Sequence, residues 1–400
     1  MVLDALASLR RARPIAQLAR DLRAVVGGLA GERAAPFTER RPRPAVATPV
    51  VAPRLGGRAL EVVERRANTA EAVTLVLRDP QGAPIDFVPG QFFTLRVEVD
   101  GVEVRRAYSA AGSALVRDRL ELTIKRVPGG RASGFLVERV GAGDRIDVLG
   151  PSGAFVVAPE VGARRRLVLV AGGSGITPMM AILRTILAVE TGTEIALIDG
   201  NRSVGSILYA DELAALAAEF AGRLFVRHVV EEAPAGWQGG VGRLVGEALA
   251  AELAALPWGL GAVSGFYLCG PEPMLAAARE LLVGRGVAAG SIHEERFTRP
   301  HEREAAAQAR EAVTVTIRQG GVERAVSAAP GTTILEAGLA AGARMPFSCA
   351  MGGCGACKVR LVAGEAAMEE PNCLGAGERA AGEILACVAA PLSPCTVEVR

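Results

Sequence analysis

The feature that most constrains this chain lies near its C-terminal end. Cys349, Cys354 and Cys357 stand in the order C-x4-C-x2-C, and Cys387 follows 30 residues after Cys357. Three thiolates crowded into one short loop, with a distant fourth, is the spacing of a [2Fe–2S] site. The residues between them, such as Ala350, Gly352, Gly353, Gly355 and Ala356, are mostly small. They let the backbone curl tightly and aim N–H groups at the sulfurs. Zinc sites usually pair two C-x2–4-C units instead, and this loop does not. Cys373 and Cys395 fit no ligand position and read as small buried residues.

With 400 residues, the chain is too long for one ordinary core, and two or three domains are expected. An odd set of 7 cysteines, clustered late, does not resemble a secreted disulfide framework. A reducing cytoplasm and no disulfides are expected. The formal net charge of +2 supplies no global basic field for nucleic acid. No run of about 18 apolar residues is present, so no membrane span is expected. The N-terminus lacks a compact apolar core with a cleavage site, which argues against a secretory signal.

Five stretches follow from composition and periodicity. Residues 1–54 are Arg- and Pro-rich, with helical spacing in the first half and an extended second half. They read either as a tail or packed helix, or as a basic element touching an anionic membrane face or a partner. Residues 55–160 hold short alternating strands punctuated by Gly and Pro, which argues for an antiparallel barrel. Residues 161–297 alternate strand and helix, as in a parallel α/β sheet. Residues 298–311 read as a linker. Residues 312–400 begin with a hairpin and a helix, continue through the cysteine loop and end in a strand.

Several segments carry further chemistry. Arg106-Ala107-Tyr108-Ser109 follows a strand of the barrel region. An Arg can neutralise a diphosphate, a Tyr can stack on an aromatic ring, and a Ser can hydrogen-bond a ring nitrogen. Alone, four such residues are equally an ordinary strand end. Gly172-Gly173-Ser174-Gly175-Ile176-Thr177-Pro178 is a glycine turn feeding a helix, where a pyrophosphate is stabilised. Cys269-Gly270-Pro271 again joins a strand to a helix. Asn201-Arg202-Ser203 ends the second strand of the α/β region, where ribose specificity is set. Arg202 and Ser203 suit a 2′-phosphate, whereas Asp199 suits a free hydroxyl, so NADPH is slightly favoured over NADH. His228 and His301 read as bystanders, and His293 lies near the end of the α/β region.

Together these segments resemble the ferredoxin–NADP reductase superfamily. Pro89-Gly90-Gln91-Phe92, the Arg106–Ser109 segment, Gly129–Ser133 and Gly150–Phe155 are similar to its flavin barrel. GGSGITP and CGPEPM are similar to its nicotinamide domain. Residues 312–400 look like a plant-type ferredoxin domain of β-grasp fold. The domain order is similar to that of oxygenase and desaturase reductases, and the resemblance covers residues 55–400.

The resemblance implies Arg106, Tyr108 and Ser109 at the flavin ring side, and Gly130, Arg131, Ala132 and Ser133 at the flavin pyrophosphate. It implies Gly172, Gly173, Gly175, Thr177, Cys269 and Gly270 at the nicotinamide nucleotide, with Cys269 beside the hydride-transfer point. Glu295 and Phe297 are implied next to the flavin, which makes Ser109, Cys269 and Glu295 the catalytic candidates. It also implies that Cys349 and Cys354 bind one iron, and Cys357 and Cys387 the other. FAD is favoured over FMN. The implied activity is that of an NAD(P)H oxidoreductase: hydride passes to flavin, and single electrons leave through the cluster to a terminal oxygenase, hydroxylase or desaturase. The rival reading is a non-enzymatic iron–sulfur scaffold or redox sensor, against which the intact nucleotide segments argue. The expected location is the cytoplasm, with contact at the inner membrane face left open by the Arg-rich extension.

Overall fold

The computed structural model describes residues 57–297, 311–369 and 372–399. The readings for residues 1–54 and for the linker over 298–310, with His301, lie outside the described residues.

Six strands build the first sheet: β1 (Arg58–Thr69), β2 (Ala72–Arg78), β3 (Phe92–Val99), β4 (Val102–Ser109), β5 (Leu120–Lys125) and β6 (Arg145–Ser152). Their order is β4-β3-β6-β1-β2-β5, and every pairing is antiparallel. A bridge between Ala110 and Leu122 joins the two ends, so the sheet closes as a barrel. Alternation puts Val73, Leu75 and Leu77 of β2 into the barrel core, where α1 (Arg131–Glu138) adds Ala132 and Leu136. Ala72 to Leu77 are nonetheless all buried, because the outer face of β2 is covered as well. The Arg106–Ser109 segment does not follow a strand but forms the end of β4 itself.

The second sheet is parallel, in the order β10-β9-β8-β7-β11-β12. Its elements are β7 (Arg166–Gly172), α2 (Ile176–Val189), β8 (Glu194–Ser203), α3 (Ala210–Glu219), β9 (Leu224–Glu232), β10 (Gly240–Val241), α4 (Gly246–Ala254), β11 (Gly265–Cys269), α5 (Glu272–Gly284) and β12 (Ile292–Glu295). Helices α2 and α3 cover one face, while α4 and α5 cover the other. The chain runs from β7 outward through β8 and β9, then returns to β11 on the opposite side of β7. This makes the β7/β11 boundary a topological switch point, where ligands bind in open α/β sheets.

The third sheet has the order β14-β13-β19-β15-β17. The elements of this region are β13 (Val313–Gln319), β14 (Val322–Ala328), α6 (Ile334–Ala340), β15 (Lys358–Ala363), β16 (Ala366–Met368), α7 (Ala376–Ala380), β17 (Glu383–Leu385), β18 (Ala389–Pro391) and β19 (Cys395–Val399). Strands β13 and β14 form the expected hairpin, and β19 lies parallel to β13. Strands β16 and β18 form a separate small ladder. Helix α6 starts at a capping box: Thr333 Oγ1 accepts from the Glu336 amide at 3.2 Å, and Glu336 accepts from the Thr333 amide at 2.9 Å. Its Ile334, Leu335 and Ala337 bury against the sheet, which gives the β-grasp arrangement.

Candidate functional site

Residues from the barrel, the parallel sheet and the cysteine region line one cavity of about 290 Å³. The β3–β4 hairpin gives Phe92, Ala107 and Ser109, and Phe155 follows β6. The end of the parallel sheet gives His293, Glu295 and Phe297, and the cysteine region gives Met351, Gly353 and Cys373. Ser109 Oγ donates to Glu295 Oε2 at 3.4 Å. Cys269 sits directly opposite Glu295 in the β11/β12 register. The three catalytic candidates, separated by up to 186 residues, are thus neighbours at the carboxyl ends of β11 and β12.

Burial dominates the electrostatics here. It pushes the Glu295 carboxyl up to about 8, only partly offset by the Ser109 hydroxyl. Burial, followed by the charge of Glu295, holds the Cys269 thiol well above its ordinary range. Cys269 is therefore a neutral thiol, able to pack and position but not to act as a thiolate. His293 stacks on Tyr267 at 4.6 Å, and burial lowers its basicity.

Strand alternation divides the flavin-type segment. Ala107 and Ser109 face the cavity, whereas Tyr108 packs against the barrel core and pairs in register with Phe93. Burial raises the Tyr108 phenol. The Arg106 guanidinium lies at the surface and donates to the Arg105 carbonyl at 2.7 Å. Gly130, Arg131, Ala132 and Ser133 form the start of α1, away from this cavity. A second cavity, of about 320 Å³, lies there and is lined by Gly129, Gly130 and Arg131. Ser133 Oγ accepts from the Val127 amide at 3.1 Å, and Arg131 donates to the Val99 carbonyl at 3.0 Å.

The glycines at the switch point have a packing reason. A Cβ at Gly175 would stand 2.0 Å from the Cys269 carbonyl oxygen, and one at Gly172 would stand 2.6 Å from Pro271 Cδ. Gly270 closes against Gly172 in the same way. Absent side chains let the β7–α2 and β11–α5 turns touch, bringing both expected nucleotide segments together. Thr177 Oγ1 donates to the Ser174 carbonyl at 3.0 Å, tightening the turn. Lys125, which motif reading does not single out, brings its ammonium to 3.9 Å from the Cβ position of Gly173. Only its place at the end of a barrel strand hints at this.

At the end of β8, Arg202 is exposed and Ser203 half-buried. Asp199 is fully buried, and its Oδ2 accepts from Asn201 at 2.8 Å and meets His228 Nδ1 at 3.1 Å. Burial raises its carboxyl. Asp199 is thus buried inside the sheet with Asn201 and His228 as partners of its Oδ2, while its Oδ1 has no hydrogen-bond partner among the described residues.

The cysteine loop is built around its sulfurs. The thiols form two pairs, Cys349 with Cys354 and Cys357 with Cys387, the latter 3.1 Å apart. The Met351 amide donates to Cys349 at 3.4 Å, the Cys349 and Ala356 amides to Cys354 at 3.5 and 3.4 Å, and the Gly352 amide to Cys387 at 3.3 Å. Positive φ at Ala350, Gly352 and Gly355 curls the loop to make this possible. Four buried sulfurs in two pairs, with amides already aimed at them, fit a [2Fe–2S] cluster. The cavity, which sets Phe92, Phe155, Phe297 and Met351 beside the polar Ser109, His293 and Glu295, fits a planar ring with a polar edge, and the turn at the start of α2 fits a pyrophosphate. Cys395 is buried at the start of β19, whereas Cys373 is half-buried and lines the cavity.

Comparison with known proteins agrees with this architecture. Residues 59–157 match an oxidoreductase FAD-binding domain, 169–280 an oxidoreductase NAD-binding domain, and 317–392 a 2Fe-2S iron-sulfur cluster binding domain. The chain is 34% identical to one component of the 1,2-phenylacetyl-CoA epoxidase of Escherichia coli K12, over 84% of this chain and 95% of that one. It is 37% identical to the ferredoxin reductase component of the 3-ketosteroid-9-alpha-monooxygenase of Mycolicibacterium smegmatis, over 85% and 96%. Phthalate dioxygenase reductase, a solved structure, superposes with a TM-score of 0.56 at 25% identity, over 86% of this chain and 98% of that one. The order FAD-binding barrel, NAD-binding sheet and [2Fe–2S] domain therefore has one meaning here: the chain belongs to the family of ferredoxin-reductase-type oxidoreductases with a C-terminal [2Fe–2S] domain.

Proposed function

We propose that this oxidoreductase serves a separate terminal oxygenase, hydroxylase or desaturase, receiving hydride in the three-sided cavity and releasing electrons through the cysteine loop. The observation that carries the reading is the meeting of Ser109, Cys269 and Glu295 beside the loop that presents Cys349 and Cys354. When bound, the flavin supplies the exchange between two-electron and one-electron chemistry that no side chain provides. Ser109 orients the ring by its hydroxyl, Glu295 supplies a buried carboxyl that is protonated at neutral pH, and Cys269 packs as a neutral thiol against the incoming nicotinamide. Phe297 covers the ring, and Tyr108 and Arg106 support it from the other face of β4. Gly130, Arg131, Ala132 and Ser133 hold the flavin pyrophosphate at the start of α1.

On the nucleotide side, Gly172, Gly173, Gly175, Thr177 and Gly270 form the phosphate turn, with the Lys125 cation beside it. With Asp199 committed to Asn201 and His228, discrimination falls to exposed Arg202 and to Ser203, which suit the 2′-phosphate of NADPH. Cys349 with Cys354 and Cys357 with Cys387 each hold one iron. The module boundaries we assign are 55–160, 161–297 and 312–400, joined by 298–311 and preceded by the extension 1–54. A cytoplasmic setting suits this role, with the extension as a contact for a membrane face or partner. Among the described residues, no helix is long and apolar enough to cross a membrane.

The test is anaerobic reduction by each nucleotide. Arg202→Ala should raise the KM for NADPH about tenfold, the worth of one charge-assisted hydrogen bond, and leave that for NADH unchanged. Equal KM changes for both nucleotides would refute the assignment of Arg202.

A further inference from the structure

The cysteine loop is fastened to the barrel by contacts of which only the one at Phe92 also belongs to the shared cavity. Arg105 Nη1 donates to the Phe347 carbonyl at 2.7 Å, and the guanidinium lies 4.3 Å from the centroid of the Phe347 ring. Ser348 Oγ donates to Thr94 Oγ1 at 3.0 Å, with both residues buried. Phe92 packs directly against Cys349 and Cys354. Phe92, Thr94 and Arg105 all belong to the β3–β4 hairpin, while Phe347 and Ser348 immediately precede Cys349. The grip therefore falls on the chain entering the first ligand. The other pair, Cys357 and Cys387, sits in the core of its own sheet.

Arg105 is prepared for this grip. Glu103 holds it from the other side at 2.9 Å, and its side chain is only 21% exposed. Its planar fork reaches a carbonyl while its face covers an aromatic ring, a combination lysine cannot reproduce. Arg105 does not line the shared cavity, so its contribution concerns where the loop sits and not the chemistry at Ser109 and Glu295.

We propose that Arg105 is a positioning residue for electron transfer from flavin to cluster, with Thr94 as the second anchor, and that electrons enter the cluster on the Cys349/Cys354 side. The inference rests on the reading of the cavity as the flavin site. One electron moves at a time, no bond is made or broken, and the established activity supplies both donor and acceptor. Electron transfer weakens steeply with separation, so a loosened loop slows this step alone.

The test compares Arg105→Ala, Arg105→Lys and Thr94→Val in the full-length holoenzyme. Anaerobic rapid mixing with NADPH resolves flavin bleaching from the later bleaching of the cluster. Hydrogen exchange at the amides of residues 347–354 gives a readout independent of turnover. In Arg105→Ala, cluster bleaching should slow about tenfold or more, as displaced reacting partners do. Flavin bleaching should keep its rate, and exchange at 347–354 should accelerate. Arg105→Lys should recover part of the loss. Thr94→Val leaves the cysteine domain unaltered and should show the same pattern to a lesser degree, even if Arg105→Ala loses iron. Unchanged cluster bleaching and exchange in both Arg105→Ala and Thr94→Val would overturn the assignment. A wild-type protein whose flavin bleaches while its cluster stays oxidised would instead refute the underlying reading of the cavity.

Discussion

Among the described residues the barrel has two junctions, and they are made differently. Against the parallel sheet, Arg184 of α2 forks onto Glu212 at 2.6 Å, reaches Glu121 of β5 at 3.1 Å, and donates to the Ala111 carbonyl at 2.6 Å. The Tyr209 and Thr123 hydroxyls share a hydrogen bond, Thr123 is also bonded to Thr74 at 2.6 Å, and the Tyr209 amide donates to Asn68 at 2.9 Å. Ala72, Ala111, Phe155 and Val157 of the barrel side share a core with α2 and α3. Against the cysteine loop, by contrast, Phe92 meets two cysteines in a small cluster, joined by the Arg105 and Thr94 contacts. Hydride transfer needs fixed near-contact geometry, and the first junction is continuous core. Electron transfer requires only proximity, and the second junction is a few discrete grips. A chain built this way can hold its donor face rigid while its acceptor face remains separable.

The largest effect should come from the acceptor side. Cys357→Ser removes one of two paired sulfurs, so iron and sulfide content should fall toward zero and one-electron delivery should cease. Flavin bleaching by NADPH should persist, because Ser109, Cys269 and Glu295 lie in the other two modules. Loss of both activities would mean that the junctions are not independent.

Next comes the rigid junction. Arg184→Ala leaves Glu212 without its cation and removes the bond to the Ala111 carbonyl, while Glu121 keeps Arg66 at 3.0 Å. The lost charge-assisted hydrogen bonds are worth about 2 kcal/mol. Thermal unfolding should drop by several degrees, and hydride uptake should slow, while cluster content is unchanged. An unaltered melting temperature would show that the apolar core alone holds the junction.

A further effect concerns pH. Burial raises Glu295 from its ordinary 4.5 to about 8, so the folded state binds more protons than the unfolded chain between those values. Its contribution to stability is full below pH 4.5 and is lost as pH rises through about 8. Glu295→Gln cannot ionise, so its melting temperature should gain on the wild type over this window and level off above it. A gap that does not change with pH would rule out a buried carboxyl that holds its proton.

How much of this can be read from residues alone varies with the feature. The convergence of Cys349, Cys354 and Cys357 is legible because their spacing within one loop is itself the geometry. The two glycine turns are legible because strand, glycine and helix follow in order. The pairing of β13 with β14 is local, whereas the parallel partnership of β13 with β19 spans the domain. What escapes depends on long-range contact. Thr94 meets Ser348 across 254 residues and Arg105 meets Phe347 across 242, and no periodicity encodes either. The separation of Tyr108 from Ser109 follows from strand alternation, which a segment placed after a strand conceals. Asp199 is a plausible ribose partner in sequence, and its burial beside His228 is visible only in the fold. Strand β12 is short and mostly half-buried, so it carries no pattern of its own.

The central claim is that nucleotide electrons reach the cysteine loop. Low-temperature electron paramagnetic resonance of the purified holoprotein, before and after anaerobic addition of NADPH, measures this directly. The expected result is the spectrum of a reduced [2Fe–2S] cluster, absent beforehand and accounting for the bound iron afterwards. A flavin that bleaches while the iron remains silent, or iron reducible by dithionite but never by NADPH or NADH, would contradict it.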